Sequence, residues 1–339
     1  MSKMLVTGGA GFIGSHVAEI LIHDGHEVVV LDDLSGGLKN HVPRGAEFVK
    51  GSILDYGLLK DLFARHPFAY VFHLAAYAAE GLSHFIKRFN YENNLMGSVN
   101  LINLSILHKI KCFIFTSSIA VYGRNQLPMI ENFIPQPQDP YGIAKYAVEQ
   151  ELKVSQDMFG LPYLIFRPHN VYGERQNIGD RYRNVIGIFM NQIMQEMPMT
   201  IFGNGEQKRA FSYISDVAPI IARSINYPNA FNGVFNIGAD TPHTINQLAI
   251  EVARAFQVEP KIRYLEPRNE VEEAYSDHAK VRYFFKCEPR VTLTDGLKQM
   301  ALWVKQYGSR KTKVFTDIEV NVNMPSSWSS EFNKREQTV

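Results

Sequence analysis

The sequence predicts an α/β fold: a doubly wound parallel sheet with a smaller, discontinuous α/β region beside it. Three observations predict it. Short β-branched runs alternate with amphipathic helical stretches from the first residues. A glycine-rich turn joins the first run to the first helix. The alternation breaks down after Gly173. Strands regularly separated by helices make a parallel sheet with right-handed crossovers, covered on both faces.

Met4–Thr7 reads as the first strand, and Ile13–His23 as a helix with Ile13, Val17, Ile20 and Leu21 on one face. Glu27–Leu31 and Ala46–Lys50 are the next strands, and Leu58, Leu59, Leu62 and Phe63 stripe the helix after them. Ala69–Leu74, Lys111–Thr116 and Tyr163–Phe166 continue the sheet, and Gly233–Ile237 supplies a last strand. Residues 1–173 plus 211–239 are expected to form this sheet domain. Residues 174–210 plus 240–308 carry loops, prolines and scattered arginines, and are expected to form a ligand-binding domain over the carboxyl ends of the strands. Residues 309–339 are a polar tail, expected either to pack elsewhere as an arm or to be mobile beyond about Ser330.

The chain has 339 residues, 45% apolar and 20% charged, with a formal net charge of +1. That balance suits an ordinary globular protein and gives no electrostatic case for nucleic acid or an acidic membrane as partner. Neither of the two cysteines, Cys112 and Cys287, suggests a disulfide framework, and no histidine pair has ligand spacing, so no metal is expected. No apolar run reaches the roughly 20 residues that span a bilayer, and the N-terminus runs straight into a strand. A cytoplasmic setting is the expectation.

Thr7-Gly8-Gly9-Ala10-Gly11-Phe12-Ile13-Gly14 ends the first strand and opens the first helix. Gly8 allows a tight turn, Gly11 lets backbone approach a pyrophosphate, and Gly14 lets helix and strand pack closely. Free N–H groups and the positive helix end then face the phosphates. Asp32 closes the second strand, in Val29-Val30-Leu31-Asp32-Asp33-Leu34. A carboxylate there accepts both ribose hydroxyls of NAD and repels the extra phosphate of NADP. Strand, glycines, helix and acid together form a Rossmann-type dinucleotide fingerprint, with NAD as the expected cofactor.

Further on, Phe113-Ile114-Phe115-Thr116-Ser117-Ser118 places a hydroxyl cluster at the end of a buried strand, and Tyr141-Gly142-Ile143-Ala144-Lys145 follows. Tyr141 and Lys145 are spaced to share a helix face. An ammonium beside a phenol favours phenolate. Bringing a phenol from near 10 to near neutrality takes roughly 4 kcal/mol, which Lys145 and a positive nicotinamide together can supply, making Tyr141 a usable base.

With these motifs the chain resembles the extended short-chain dehydrogenase/reductases, and within them the NAD-dependent epimerase/dehydratase group of nucleotide-sugar enzymes, from Lys3 to about Tyr307. The resemblance implies Ser118, Tyr141 and Lys145 as the catalytic set. It implies Phe12, Ile13, Asp32, Ser52, Ile53, Leu74, Ala75, Ala76, Asn93, Ser117, Tyr141, Lys145 and His169 around the cofactor, beside Gly8, Gly11 and Gly14. It implies a homodimer through two helices per subunit, near Asn93–His108 and Tyr141–Phe159. On the substrate side it implies Asn170, Asn184 and the arginines Arg209 and Arg268 at sugar and diphosphate, Glu270 near a ribose, and Phe202 on the base. Planar arginine forks suit phosphate. Ala274, counted from Glu270, is expected to border the sugar pocket and leave room for a substituent. His73 is expected to fix backbone rather than do chemistry.

Members of this group divide by what stands beside the serine. Dehydratases place Thr-Asp-Glu there, and here the positions are Ser118, Ile119 and Ala120, of which the last two move no protons. The decarboxylase Glu and the 3,5-epimerase Cys are likewise replaced by Ala120. What remains suffices for transient oxidation, which points to 4-epimerisation of a UDP-hexose or UDP-hexuronate. A 2-epimerase, a 4-keto-sugar reductase and a ligand-binding member without catalysis stay open. Asp32 argues against the reductase, because such reductases usually prefer NADPH. Three departures stand out: Ser52 replaces the usual Asp near adenine, Arg209-Ala210-Phe211 lacks the usual Asp after the Arg, and the loop Ala75–Phe85 is unusual, bringing Glu80 and His84 towards the substrate.

Overall fold

The computed structural model describes residues 1–312 and 314–328. The expectation of mobility beyond Ser330 lies outside the described residues. Seven parallel strands form the main sheet: β1 Lys3–Thr7, β2 Glu27–Asp32, β3 Glu47–Lys50, β4 Tyr70–His73, β5 Cys112–Thr116, β6 Tyr163–Pro168 and, further along, β11 Gly233–Ile237. Their spatial order is β11-β6-β5-β4-β1-β2-β3. Every residue of β5 and β6 is buried, as parallel strands covered on both faces require. The remaining strands are β7 Val171–Tyr172, β8 Met199–Phe202, β9 Lys208–Ala210, β10 Ser212–Tyr213, β12 Pro242–Thr244, β13 Ile262–Leu265 and β14 Glu273–Ala274.

The helices are α1 Phe12–His23, α2 Tyr56–Arg65, α3 Glu80–Ser83, α4 Lys87–Tyr91, α5 Gly97–Leu107, α6 Pro140–Phe159, α7 Val185–Met194, α8 Ile214–Arg223, α9 Ile245–Phe256, α10 Ala279–Phe285 and α11 Leu293–Tyr307. A π-helical segment, Glu92–Met96, joins α4 to α5. Two close approaches explain the glycines of the first turn. A Cβ at Gly14 would lie 2.1 Å from the Gly8 carbonyl oxygen, and Gly8 has φ +71° with Ala75 backbone 2.7 Å from where its Cβ would be. The long helix α6 starts where Asp139 caps it, accepting the Gly142 N–H at 2.8 Å, with Pro140 in its first turn, and stops at left-handed Gly160.

The two faces of the sheet bury separate clusters. One holds Leu5, Val29, Phe63, Phe113 and Ile165 under α2, α5 and α6. The other runs without a break from Met4, Val6 and Val17 through Ile214 and Val217 of α8 to Leu248 and Val252 of α9 and Met300 and Val304 of α11. His73, buried at the end of β4, joins Thr7 Oγ1 (2.7 Å) and Ser98 Oγ (2.8 Å), tying β4 to β1 and α5. Burial holds its imidazole down to about 3, so it is a neutral tether, holding two hydroxyl side chains where the sequence suggests a backbone contact.

Candidate active site

A cleft of about 690 Å³ opens at the carboxyl ends of β1, β2, β4, β5 and β6. All the sequence-predicted cofactor residues line it, from the Gly8–Gly14 turn to His169, as do Ser118, Tyr141 and Lys145. Of the predicted substrate residues, Glu80, Asn170, Asn184, Phe202, Arg209, Arg268 and Glu270 line it as well. Ala274 is placed elsewhere: β14 pairs with β9, Ala274 opposite Arg209, and its side chain packs against the Ile119, Val121, Tyr122 and Met129 cluster.

At the cofactor end Asp32 is nearly buried. Its two oxygens accept N–H bonds from Ala10 (3.0 Å) and Leu34 (2.8 Å), so the acid is locked to the glycine turn with lone pairs left for a ribose. Burial raises its pKa, against the backbone bonds that lower it. A cradle too tight for any Cβ, closed by a carboxylate at the strand end, fits NAD. Ser52 accepts the Leu54 N–H at 3.2 Å.

At the junction of the two halves, Ser118 caps the short turn Ile119–Tyr122, its Oγ accepting from the Ala120 N–H at 3.1 Å. The Ser118 hydroxyl also stands near enough to the Tyr141 phenol to favour its ionised form. Lys145 donates to the Thr116 carbonyl at 2.8 Å, and its Nζ stands 5.8 Å from the Tyr141 ring centre. The protein's own groups do not depress the phenol as the sequence argument expects. Burial pushes Tyr141 above its ordinary value despite the opposing effect of Ser118, and pulls Lys145 down to about 7 against the field of Glu149. Burial disfavours the charged form of both groups, so the ammonium is itself weakened.

Glu149 was not legible as a site residue. It lies one helical turn beyond Lys145, fully buried, and accepts from Ser117 Oγ (2.6 Å), Arg167 Nε (2.9 Å) and Arg167 Nη2 (2.5 Å). Arg167 lies over the Tyr122 ring, and Tyr122 donates to Asn236 at 2.8 Å. The side chain of Ser117 is thus committed to this network behind the catalytic serine. His169 is likewise buried: its Nδ1 lies 3.1 Å from the Ala210 carbonyl and its Nε2 3.0 Å from His278 Nε2.

At the other end, Arg268 stacks on Phe202, guanidinium carbon 4.7 Å from the ring centre, and reaches Glu270 at 3.2 Å. Arg209 reaches Glu270 at 3.4 Å and the Val271 and Glu272 carbonyls. Glu80 opens into the cleft between this end and the catalytic end. Desolvation within the cleft raises its carboxyl, with Arg209 and Arg268 opposing and Glu270 adding to the rise. Asp139, the cap of the catalytic helix, is pushed up to about 7 by burial and then by Glu80. Asn170 and Asn184 both hold positive φ, +41° and +60°, a conformation asparagine tolerates best after glycine. The sequence reading also missed Tyr77, Arg183 and Phe315, which line the mouth.

The NAD dependent epimerase/dehydratase family profile matches residues 4–238. A putative UDP-glucose 4-epimerase of Methanocaldococcus jannaschii is 35% identical over 308 residues, covering 89% of this chain and 98% of the relative. The structure of a UDP-glucose 4-epimerase from Thermotoga maritima, solved with UDP-glucose, superposes with a TM-score of 0.85 at 35% identity, over 90% of this chain and 99% of that one. A UDP-glucuronic acid 4-epimerase from Bacillus cereus, solved with UDP-glucuronic acid and NAD, gives a TM-score of 0.81 at 28% identity, over 90% and 99% of the two chains. The chain belongs to the NAD-dependent epimerase/dehydratase family, and NAD is its cofactor.

Proposed function

We propose that the chain is a nucleotide-sugar 4-epimerase acting on a UDP-hexose or UDP-hexuronate by transient oxidation at carbon 4. The observation that carries this reading is the junction itself. Ser118, Tyr141 and Lys145 meet there, and the positions beside Ser118 are Ile119 and Ala120, which offer no acid or base for water loss. Bound NAD supplies a hydride acceptor and donor. Tyr141 takes the proton from the carbon-4 hydroxyl and returns it, Ser118 polarises that hydroxyl, and Lys145 holds the phenol's charge. Arg209 and Arg268 bind the diphosphate, Asn170 and Asn184 position it, Phe202 and Glu270 meet the base and ribose. Anchoring there leaves the sugar free to turn over and present its other face.

The subunit pairs with a second copy through α5 and α6. Leu107, Val154, Met158 and Phe159 on these helices are 69%, 60%, 73% and 61% exposed, apolar side chains that a partner helix pair would cover. A reducing, cytoplasmic setting fits the free thiols of Cys112 and Cys287.

The test is incubation of purified protein with UDP-glucose, UDP-N-acetylglucosamine and UDP-glucuronate, watched by NMR for an isomer of equal mass. A product inverted at carbon 4, with about one NAD released per subunit on denaturation, is expected. Inversion at carbon 2, or consumption of added NADPH, replaces this reading with a 2-epimerase or a reductase. Binding without turnover makes the chain a ligand-binding member.

A further inference from the structure

The family frame does not account for the C-terminal arm. The Methanocaldococcus relative is matched along 98% of its length by 89% of this chain, which leaves about 37 residues of 339 over, close to the span from 309 to the end. Residues 314–325 form no helix or strand, yet the stretch starts on the wall of the cleft. The arm leaves α11 and fastens to α7, where Asn191 and Arg310 exchange bonds of 2.8 and 3.0 Å. It then crosses the mouth. Val314 and Phe315 line the cleft, and the Phe315 ring meets Phe89 at 5.0 Å and Tyr77 at 5.7 Å. On the sheet side Glu319 caps α4, accepting the Arg88 and Phe89 N–H groups at 2.8 and 2.9 Å, and its own N–H donates to the Phe85 carbonyl. The arm then crosses back. Arg181 donates to the Ser327 carbonyl at 3.0 Å. Trp328, only 4% exposed, packs edge-on to Tyr182 (5.1 Å), Phe202 (6.1 Å) and Phe85 (6.2 Å). Its ring also borders Gly81, on the same side as the Arg268 guanidinium.

An extended segment stays ordered only if burial and bonding offset its lost freedom. This arm concentrates both on two points. One is the rim where the cofactor and substrate halves of the cleft meet. The other is Phe202, whose ring carries Arg268 and meets Trp328 edge-on. We infer that residues 309–312 and 314–328 are part of the nucleotide-sugar site: Phe315 forms part of its wall, and Trp328 is a positioning residue that sets Phe202 and Arg268 for the nucleotide. This rests on the reading that a UDP-sugar binds between Arg209, Arg268 and Phe202.

The test uses the full chain with its NAD and four proteins: parent, Trp328→Ala, Trp328→Phe and Phe315→Ala. UDP alone is titrated by calorimetry, and NAD content and unfolding temperature are measured on each. UDP is expected to bind Trp328→Ala and Phe315→Ala about tenfold more weakly, the scale of a lost aromatic contact. Trp328→Phe recovers most of the loss, KM rises with the UDP Kd, kcat changes little, and NAD content stays at the parent level. If Trp328→Ala loses its NAD and its folding transition, Phe315→Ala decides. Parent-like UDP affinity in folded Phe315→Ala and Trp328→Ala overturns the role of the arm while leaving the proposed function standing. A parent that retains NAD but binds no UDP overturns the reading on which both rest.

Discussion

Replacing Glu149 by Leu should unfold the protein several degrees earlier. The substitution fills most of the same volume but leaves the Arg167 guanidinium, 2% exposed, without its carboxylate. Among the described residues Arg167 forms a salt bridge with no carboxylate besides Glu149, and its Nη1 has no hydrogen-bond partner. Breaking a buried pair from one side costs about 3–5 kcal/mol. Unfolding entropy near 2.1 cal/mol/K per residue makes about 0.7 kcal/mol/K for 339 residues, so the melting temperature should fall by roughly 4–7 °C. The double variant Glu149→Leu/Arg167→Met removes both charges and should regain most of that loss. Calorimetry or dye-monitored melting reads both. Activity gives a second signal. Glu149 raises the pKa of Lys145 against the burial that brings it to about 7. Without Glu149 the ammonium is lost at lower pH, so the alkaline limb of kcat should move down the pH scale. A single variant as stable as the parent, or a double variant as unstable as the single, would refute the reasoning.

Tyr141→Phe and Lys145→Met should each lower turnover by at least ~100-fold with NAD still bound, and Ser118→Ala by less; full activity in Tyr141→Phe would place the base elsewhere, Glu80 or His84 being next. Asp32→Ser should lower the NAD content of purified protein and narrow its preference over NADP by about tenfold or more, measured by release on denaturation and by competition. Asp139→Asn keeps a good helix cap but cannot titrate. Because the Asp139 carboxyl is raised to about 7, the folded chain keeps a proton that the unfolded chain releases near 4, so this stability is complete at low pH and lost as pH rises through about 7. The parent's melting temperature should therefore fall more steeply than the variant's between pH 5 and 8, and identical slopes would remove Asp139 from the account.

The central strands were legible because burial on both faces leaves an uninterrupted apolar run, as in Cys112–Thr116, and the strand Gly233–Ile237 was found to the residue. The cofactor turn and the Tyr141–Lys145 pair were legible because local spacing alone sets their geometry. Glu149 was not: a glutamate on an amphipathic helix reads as solvated, and its partner Arg167 sits on a strand. Ala274 went astray because a two-residue strand has no period, and counting along a loop cannot foresee which residue meets β9. Phe315 and Trp328 are single aromatics in a polar stretch, and only the fold reveals the aromatic cluster they join.

The unbroken apolar cluster from β1 to α11 bears on how the chain is made. β6 lacks its outer neighbour until Gly233–Ile237 has been synthesised, and Val17 and Val217 share a cluster with Met300 and Val304, near the end of the chain. Emerging from the ribosome, the first half therefore shows one greasy sheet face and an open strand edge while the last hundred or so residues are still to come, the kind of surface that draws chaperones and promotes aggregation. Truncations before α11 should accordingly accumulate as insoluble or chaperone-bound material rather than as a free cofactor-binding half.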